Sequence, residues 1–226
     1  MIEPGHLLAS SRAADVFDQG DGTVLRRYRT SRDSTVEAEV MTWLRSVGFP
    51  APAVHHAAGR DLVMEHITGP TMLADIESRP WMAVSHMRTL ARIQRALGAI
   101  SAPSWFRTDD RVPAGRSVVH LDLHPMNVIL SQTGPVVIDW TNARRGDGDF
   151  DAAMSYVLMA TFQTSGTLEH LAQRTLTELF RSFRGRRAIG RNLTAAATFR
   201  LDDPNVTPAE RLATSRILAR RPARQT

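Results

Sequence analysis

His120-Leu121-Asp122-Leu123-His124-Pro125-Met126-Asn127, followed by the apolar run Val136-Val137-Ile138 that ends in Asp139-Trp140, decides how this chain is read. The first stretch has the spacing H-x-D-x-x-x-x-N. The second places an acid at the end of a strand twelve residues beyond Asn127. An acid able to accept the proton of a hydroxyl, plus an amide oxygen and a second carboxylate suited to a hard divalent cation, are the three groups phosphoryl transfer uses. Each alone has an ordinary explanation, because Asp122 and Asn127 could cap turns and Asp139 could serve a helix N-terminus. Their joint spacing between strand signals argues otherwise. His120, Asp122 and His124 also alternate as zinc ligands on a strand can. That arrangement leaves Asn127 and Asp139 without a role, and Pro125 breaks any continuing strand.

The composition is that of an ordinary globular protein, with 226 residues, 42% hydrophobic and 23% charged. That length supports one large core or two small lobes. No apolar run reaches membrane-spanning length, and the first residues lack the basic-then-apolar pattern of a secretion signal, so a cytoplasmic protein is expected. Without cysteine there is neither a disulfide framework nor a thiolate site. All 28 basic residues are arginine, and the net charge of +5 arises in the last third, where residues 151–226 hold 12 arginines and 6 acids. These arginines are spread along helical segments, which describes a solvated basic face rather than a nucleic-acid surface.

Along the chain, Gly20-Asp21-Gly22 predicts a hairpin turn between two short strands within residues 14–30. Ser34 with Glu37 reads as a capping box opening a helix that Gly48 stops. Phe49-Pro50-Ala51-Pro52 is a stiff link, and Leu62-Val63-Met64-Glu65 a further strand. Met87, Leu90, Ile93, Leu97 and Ile100 mark an amphipathic helix from Trp81 to Ile100. Residues 101–117 read as loop, and Val118-Val119 as a short strand. Val128-Ile129-Leu130 and Val136-Val137-Ile138 form a hairpin around Thr133-Gly134. Helices are expected near 150–163, 168–184, 187–200 and 208–220. The last is opened by Thr207, Pro208 and Glu210 as cap, first residue and closing acid. Residues 220–226 read as a frayed tail.

At its catalytic loop the chain resembles the aminoglycoside phosphotransferase and choline-kinase family, whose loop usually reads H-G-D-x-x-x-x-N and whose second acid stands in I-D-W or I-D-F. Here Leu121 replaces the frequent glycine, Ile138-Asp139-Trp140 matches, and Gly146-Asp147-Gly148-Asp149-Phe150-Asp151 is similar to the stretch in which an Asp starts the next helix. The resemblance implies an α+β, protein-kinase-like bilobal fold. A small β-rich nucleotide-binding N-lobe would span residues 1–66, and a mainly helical C-lobe residues 67–226. It implies an ATP- and Mg2+-dependent phosphotransferase acting on a hydroxyl of a small molecule. Asp122 would be the catalytic base, Asn127 and Asp139 the metal ligands, His120 a brace for the loop, and His124 a phosphate contact.

On the nucleotide side the family's V-L-K pattern stands here as Val24-Leu25-Arg26. Arg26 keeps the charge but is longer and forked. Glu37 is its expected partner, with Arg27 and Glu39 as the competing choices. Met64, Glu65 and Ile67 fall where the hinge would line the adenine and bond its edge through the backbone. The surplus of arginine in the last third argues against a polycationic aminoglycoside as acceptor, although Asp147, Asp149, Asp202 and Asp203 could cluster. A pseudokinase that binds nucleotide or a protein partner without transfer is the competing reading.

Overall fold

The computed structural model describes residues 2–11 and 13–219. Its elements run β1 (His6–Ser10), β2 (Ala14–Asp18), β3 (Thr23–Tyr28), α1 (Thr35–Ser46), β4 (Val54–Ala58), β5 (Asp61–Glu65), α2 (Met72–Ser78), α3 (Ala83–Ala99), β6 (Ser117–Val119), β7 (Val128–Ser131), β8 (Gly134–Val137), β9 (Arg144–Gly146), α4 (Gly148–Thr161), α5 (Thr167–Arg184), α6 (Arg186–Leu201) and α7 (Pro208–Ala219). They pack as two compact units. One runs up to Met72 and takes in Met126–Thr141; the other holds Leu73–Pro125 and the chain from Asn142 onward.

The first unit is built on a five-stranded antiparallel sheet in the order β1-β2-β3-β5-β4. Period-two alternation puts Val24, Arg26 and Tyr28 on one face of the central strand β3, and Leu25 and Arg27 on the other. Arg27 is fixed on its own face by a two-pronged bond to Asp61, at 2.7 Å on each prong. Helix α1 buries Ala38, Val40, Met41 and Leu44. The β7–β8 hairpin joins this unit through its backbone. Leu130 N–H donates to Pro70 C=O at 2.9 Å and Val137 N–H to Pro50 C=O at 3.0 Å. Gly69 permits this approach, since a Cβ there would stand 2.2 Å from the Leu130 carbonyl oxygen.

In the second unit α4 is the central helix and buries Phe150, Ala152, Ala153, Met154 and Val157 among its neighbours. Helix α3 turns Met87, Leu90, Ile93 and Leu97 inward, the three- and four-residue spacing read from the sequence. It approaches α4 so closely at Gly98 that a Cβ on Gly148 would lie 2.9 Å from Gly98 Cα.

Several expectations need correction. Ser34 is the N-cap residue of α1 but makes no capping bond, and Glu37 does not close a box. The Ser34 hydroxyl donates to Asp61 C=O at 2.8 Å, while the first-turn N–H of Thr35 finds Asp33 Oδ1 at 3.0 Å. Helix α3 begins at Ala83, because Pro80 opens a separate 3-10 turn over Pro80–Met82 that leaves Trp81 exposed. In the hairpin Val128 faces Val137 and Ser131 faces Gly134, so Ile138 lies beyond the strand. β1, β4, α2 and β9 were not anticipated. Residues 220–226, read as a tail, lie outside the described residues.

Candidate functional site

Within the first unit, Arg26 is the centre of a charged cluster. Its Nη1 donates to Glu37 Oε1 at 3.1 Å, and its Nη2 to Asp139 Oδ1 at 2.8 Å and Thr141 Oγ1 at 3.1 Å. Arg26 and Glu37 are both buried, at 7% and 4% exposure, so neither charge is solvated enough to stand without the other. Burial works against the Arg26 charge, but Glu37 and then Asp139 outweigh it, and its pKa is raised. Arg27 and Glu39 take no part: Arg27 is spent on Asp61, and Glu39 is exposed.

All four lone-pair directions of Glu37 are used. Besides Arg26, its Oε1 accepts Trp140 N–H at 3.0 Å, and its Oε2 accepts the Thr141 hydroxyl at 3.2 Å and the Tyr28 hydroxyl. Burial first, and the Glu37 charge second, push the Tyr28 hydroxyl above its ordinary value, which keeps it a donor. Glu37 thereby ties β3 to the segment Asp139-Trp140-Thr141. The Trp140 ring anchors that segment from beneath, edge-on to Phe49 with centroids 5.6 Å apart and its Nε1–H on Val137 C=O at 2.9 Å.

Asn127 and Asp139 stand at one end of the β7–β8 hairpin. Asn127 directly precedes β7, and its C=O accepts Ile138 N–H at 3.0 Å, the residue before Asp139. Asp139 adopts a left-handed backbone, φ 63°, which aspartate tolerates better than most residues. Among the described residues, no group of three or more His, Asp or Glu could hold a metal ion. One amide and one carboxylate oxygen need no such group; they suit Mg2+, which keeps water and phosphate as its other ligands.

Of the residues expected at the hinge, Met64 and Glu65 close β5 and Ile67 follows it. Met64 is buried; Glu65 N–H donates to Ala53 C=O at 2.8 Å and His66 N–H to Gly22 C=O at 2.9 Å. The Glu65 carboxylate turns to Ala53 N–H and Arg45. Ile67 is half-buried beyond the strand.

In the second unit the loop carrying Asp122 is held from below. Leu121 has φ 66°, a left-handed conformation costing a non-glycine residue roughly 1 kcal/mol. Its N–H is fixed by Asp151 Oδ1 at 2.7 Å. His120 is fully buried, and its Nδ1 lies 3.2 Å from the Asp122 N–H that it accepts. Asp151 also accepts Gln94 Nε2 at 3.2 Å. Burial raises its pKa, opposed by His120 and by the donors it holds. Asp122 Oδ1 lies 3.5 Å from His124 Nε2.

Asp122 and Leu121 open onto a cavity of about 260 Å³ whose other lining includes Asp109, Arg111, Arg144, Arg200, Asp202 and Asp203. Most of these charges are matched within the wall. Arg111 is forked onto Asp109 at 2.7 and 3.0 Å, and Arg200 bonds Asp203 at 2.8 Å and Glu210 at 3.3 Å. Asp147 and Asp149 belong elsewhere. Asp147 caps α4 by accepting Asp149 N–H at 2.7 Å, and Asp149 is shared by Arg184 and Arg191.

Reading the sequence missed Tyr28, Thr141, Gln94 and the loop-holding role of Asp151. Only Asp151 carried a signal, in the Gly146-to-Asp151 stretch.

The family model of the phosphotransferase enzyme family matches residues 104–189, less than half of the chain. No curated protein matches the chain in sequence. Among solved structures, aminoglycoside phosphotransferase APH(4)-Ia is similar over 94% of this chain and 91% of that one, at 18% identity and TM-score 0.67. ADP-bound aminoglycoside phosphotransferase APH(2'')-Ib covers 94% and 91%, at 14% identity and TM-score 0.65. A choline/ethanolamine kinase family protein from Mesorhizobium loti covers 96% and 87%, at 18% identity and TM-score 0.59. The chain thus has the protein-kinase-like α+β fold and resembles that family, which supports a phosphotransferase. No helix among the described residues is long and apolar enough to cross a membrane.

Proposed function

We propose that this protein is an ATP-dependent kinase that transfers the γ-phosphate to a hydroxyl of a small molecule other than a polycationic aminoglycoside. The observation that carries the reading is the buried Arg26–Glu37 pair joined to Asp139, with Asn127 at the same hairpin end. Residues 1–66 would form the nucleotide-binding lobe, and residues 67–226 would supply the catalytic loop, the metal ligands and the acceptor site. Arg26 would bind the phosphates. Met64 would line the adenine, with Glu65 C=O and Ile67 N–H at its edge, since the N–H groups of Glu65 and His66 are already spent on Ala53 and Gly22. Asn127 and Asp139 would hold Mg2+ and Asp122 would orient the acceptor hydroxyl and accept its proton late. His124, beside Asp122, would reach the transferring phosphate. Bound MgATP supplies the reactive phosphoryl group and the cation that neutralises its charge.

Asp122 gains its orientation from the backbone beneath it, because His120 and Asp151 fix the N–H groups of residues 122 and 121. The acceptor class follows from the cavity wall. Its carboxylates are largely matched by arginines, so it offers no concentrated negative field to a polycation. A compact acceptor that is neutral, or carries both charges, fits about 260 Å³ better.

The test is transfer from γ-labelled ATP, with Mg2+, to a panel of hydroxylated acids, amino alcohols, sugars and aminoglycosides. The reading expects label in a compact acceptor and at least about a thousandfold loss in Asp122→Ala. Nucleotide binding without transfer to any acceptor would favour a pseudokinase, and preferential labelling of aminoglycosides would overturn the acceptor class.

A further inference from the structure

We infer that Thr141, seconded by Tyr28, is a positioning residue that lets a forked arginine serve where a lysine would offer a single nitrogen. The inference rests on the nucleotide role of Arg26 proposed above. A lysine ammonium is one point charge, which one carboxylate can hold. A guanidinium is a plane with five N–H donors, and binding phosphate with it requires the plane's orientation to be fixed. Arg26 Nε is buried and has no partner. Orientation therefore rests on the two Nη atoms and on whatever lies against the plane. Nη1 is held by Glu37 Oε1. Nη2 has two acceptors, Asp139 Oδ1 and Thr141 Oγ1.

These two acceptors are not equivalent. Asp139 is the proposed ligand of the divalent cation, and a carboxylate committed to a cation is a weaker partner for a guanidinium. Thr141 Oγ1 is then the acceptor left to Nη2. Its hydroxyl is well placed for this, because it spends its own proton on Glu37 Oε2 at 3.2 Å and keeps a lone pair for Arg26 at 3.1 Å. Thr141 thus bridges the acid and the base of the ion pair. Tyr28 supports the same geometry, with Arg26 Cζ 5.3 Å from its ring centroid and its hydroxyl donating to Glu37 Oε2.

The consequence is a dependence on the cation that simple packing would not produce. Removing the Thr141 hydroxyl should matter little while Asp139 still holds Nη2, and more once Asp139 is engaged. Calorimetric titration of ATP without and with Mg2+ into wild type, Thr141→Val and Thr141→Ser reads this directly. Thr141→Val should weaken binding about tenfold with Mg2+ and less than about threefold without it, the loss of one hydrogen bond to a charged group. Thr141→Ser should restore binding to within about twofold of wild type. In an Arg26→Lys background the Thr141→Val change should lose its effect, because one nitrogen held by Glu37 needs no second acceptor. A melting curve for each variant registers folding, and the lysine-background pair keeps the test decisive if Thr141→Val alone is destabilised.

Equal weakening with and without Mg2+, a serine variant as poor as valine, or strict additivity with Arg26→Lys would each overturn the inference. Wild type that binds no ATP in either condition would overturn the proposed function, and this inference with it. Wild-type binding lost in Asp139→Ala but unchanged in Thr141→Val would sink the inference alone.

Discussion

Ser34-Thr35-Val36-Glu37 and Thr207-Pro208-Ala209-Glu210 are written alike, each a hydroxyl residue followed three positions later by glutamate ahead of a helix. The structure treats them differently. At α7 the box closes: Thr207 N–H reaches Glu210 Oε2 at 2.9 Å and Glu210 N–H reaches Thr207 Oγ1 at 3.2 Å. At α1 it stays open, with Ser34 turned to Asp61 C=O and Glu37 turned to Arg26, Tyr28, Trp140 and Thr141. A cap stabilises a helix by about 1 kcal/mol, whereas a buried guanidinium left without its carboxylate costs about 3 kcal/mol or more. The buried charge therefore claims Glu37, and Asp33 takes over the bond to the first turn. Identical local signals diverge when one of them faces a buried charge contributed from elsewhere in the chain.

The comparison can be broken most easily at its two glutamates. Glu37→Ala should lose about 3 kcal/mol of unfolding free energy in urea, against less than about 1 kcal/mol for Glu210→Ala. Equal losses would mean that Glu37 is only a cap. Ser34→Ala comes next, at about 1.5 kcal/mol, because it leaves the Asp61 carbonyl without this donor. The circular dichroism of α1 should survive that change; loss of helix would restore the capping role that the geometry denies. Thr207→Ala should cost about 1 kcal/mol and Thr207→Ser almost nothing, and a serine variant as unstable as alanine would shift the credit to the methyl group.

The smallest effect is a pH slope at a third first-turn acid. Asp151, in α4, holds Leu121 N–H instead of serving its own helix, and burial raises its pKa above the ordinary 3.8. A raised native pKa means a stability contribution that is full below the unfolded value and is lost as pH climbs through the native one. Wild type should therefore lose ground to Asp151→Asn as pH rises from the acid range toward neutrality. A difference in urea midpoints that is flat, or that slopes the other way, would contradict a raised native pKa at Asp151.

How much was legible follows the same division between local and distant causes. Among helices α4 to α7, the start of α7 was readable because Thr207 and Pro208 carry local chemistry. The β2–β3 turn was readable from Gly20 and Gly22, both at positive φ. β1 was not, because all five residues of His6–Ser10 are exposed and show no alternation. β4, with two exposed histidines in Val54–Ala58, is a strand only because β5 pairs with it. At the candidate site the motif residues were legible, but Tyr28 and Thr141 were not. The partners of Thr141 lie far off in sequence, as its contact with Tyr28 across 113 positions illustrates. The arginine surplus of the last third was legible as a count but not as an arrangement. Arg184, Arg191 and Arg200 are tied to Asp149, Asp203 and Glu210, so a count of charges does not describe the cavity.

The central claim is that the Arg26–Glu37–Asp139 cluster belongs to a working MgATP site. It is tested most directly by melting wild type and Asp139→Ala with ATP, with and without Mg2+. A ligand bound only by the folded state raises its melting temperature. A working site predicts a rise in wild type that grows with Mg2+, and a rise in Asp139→Ala that does not respond to Mg2+. An unchanged melting temperature in wild type, or the same Mg2+-dependent rise in both proteins, would contradict it.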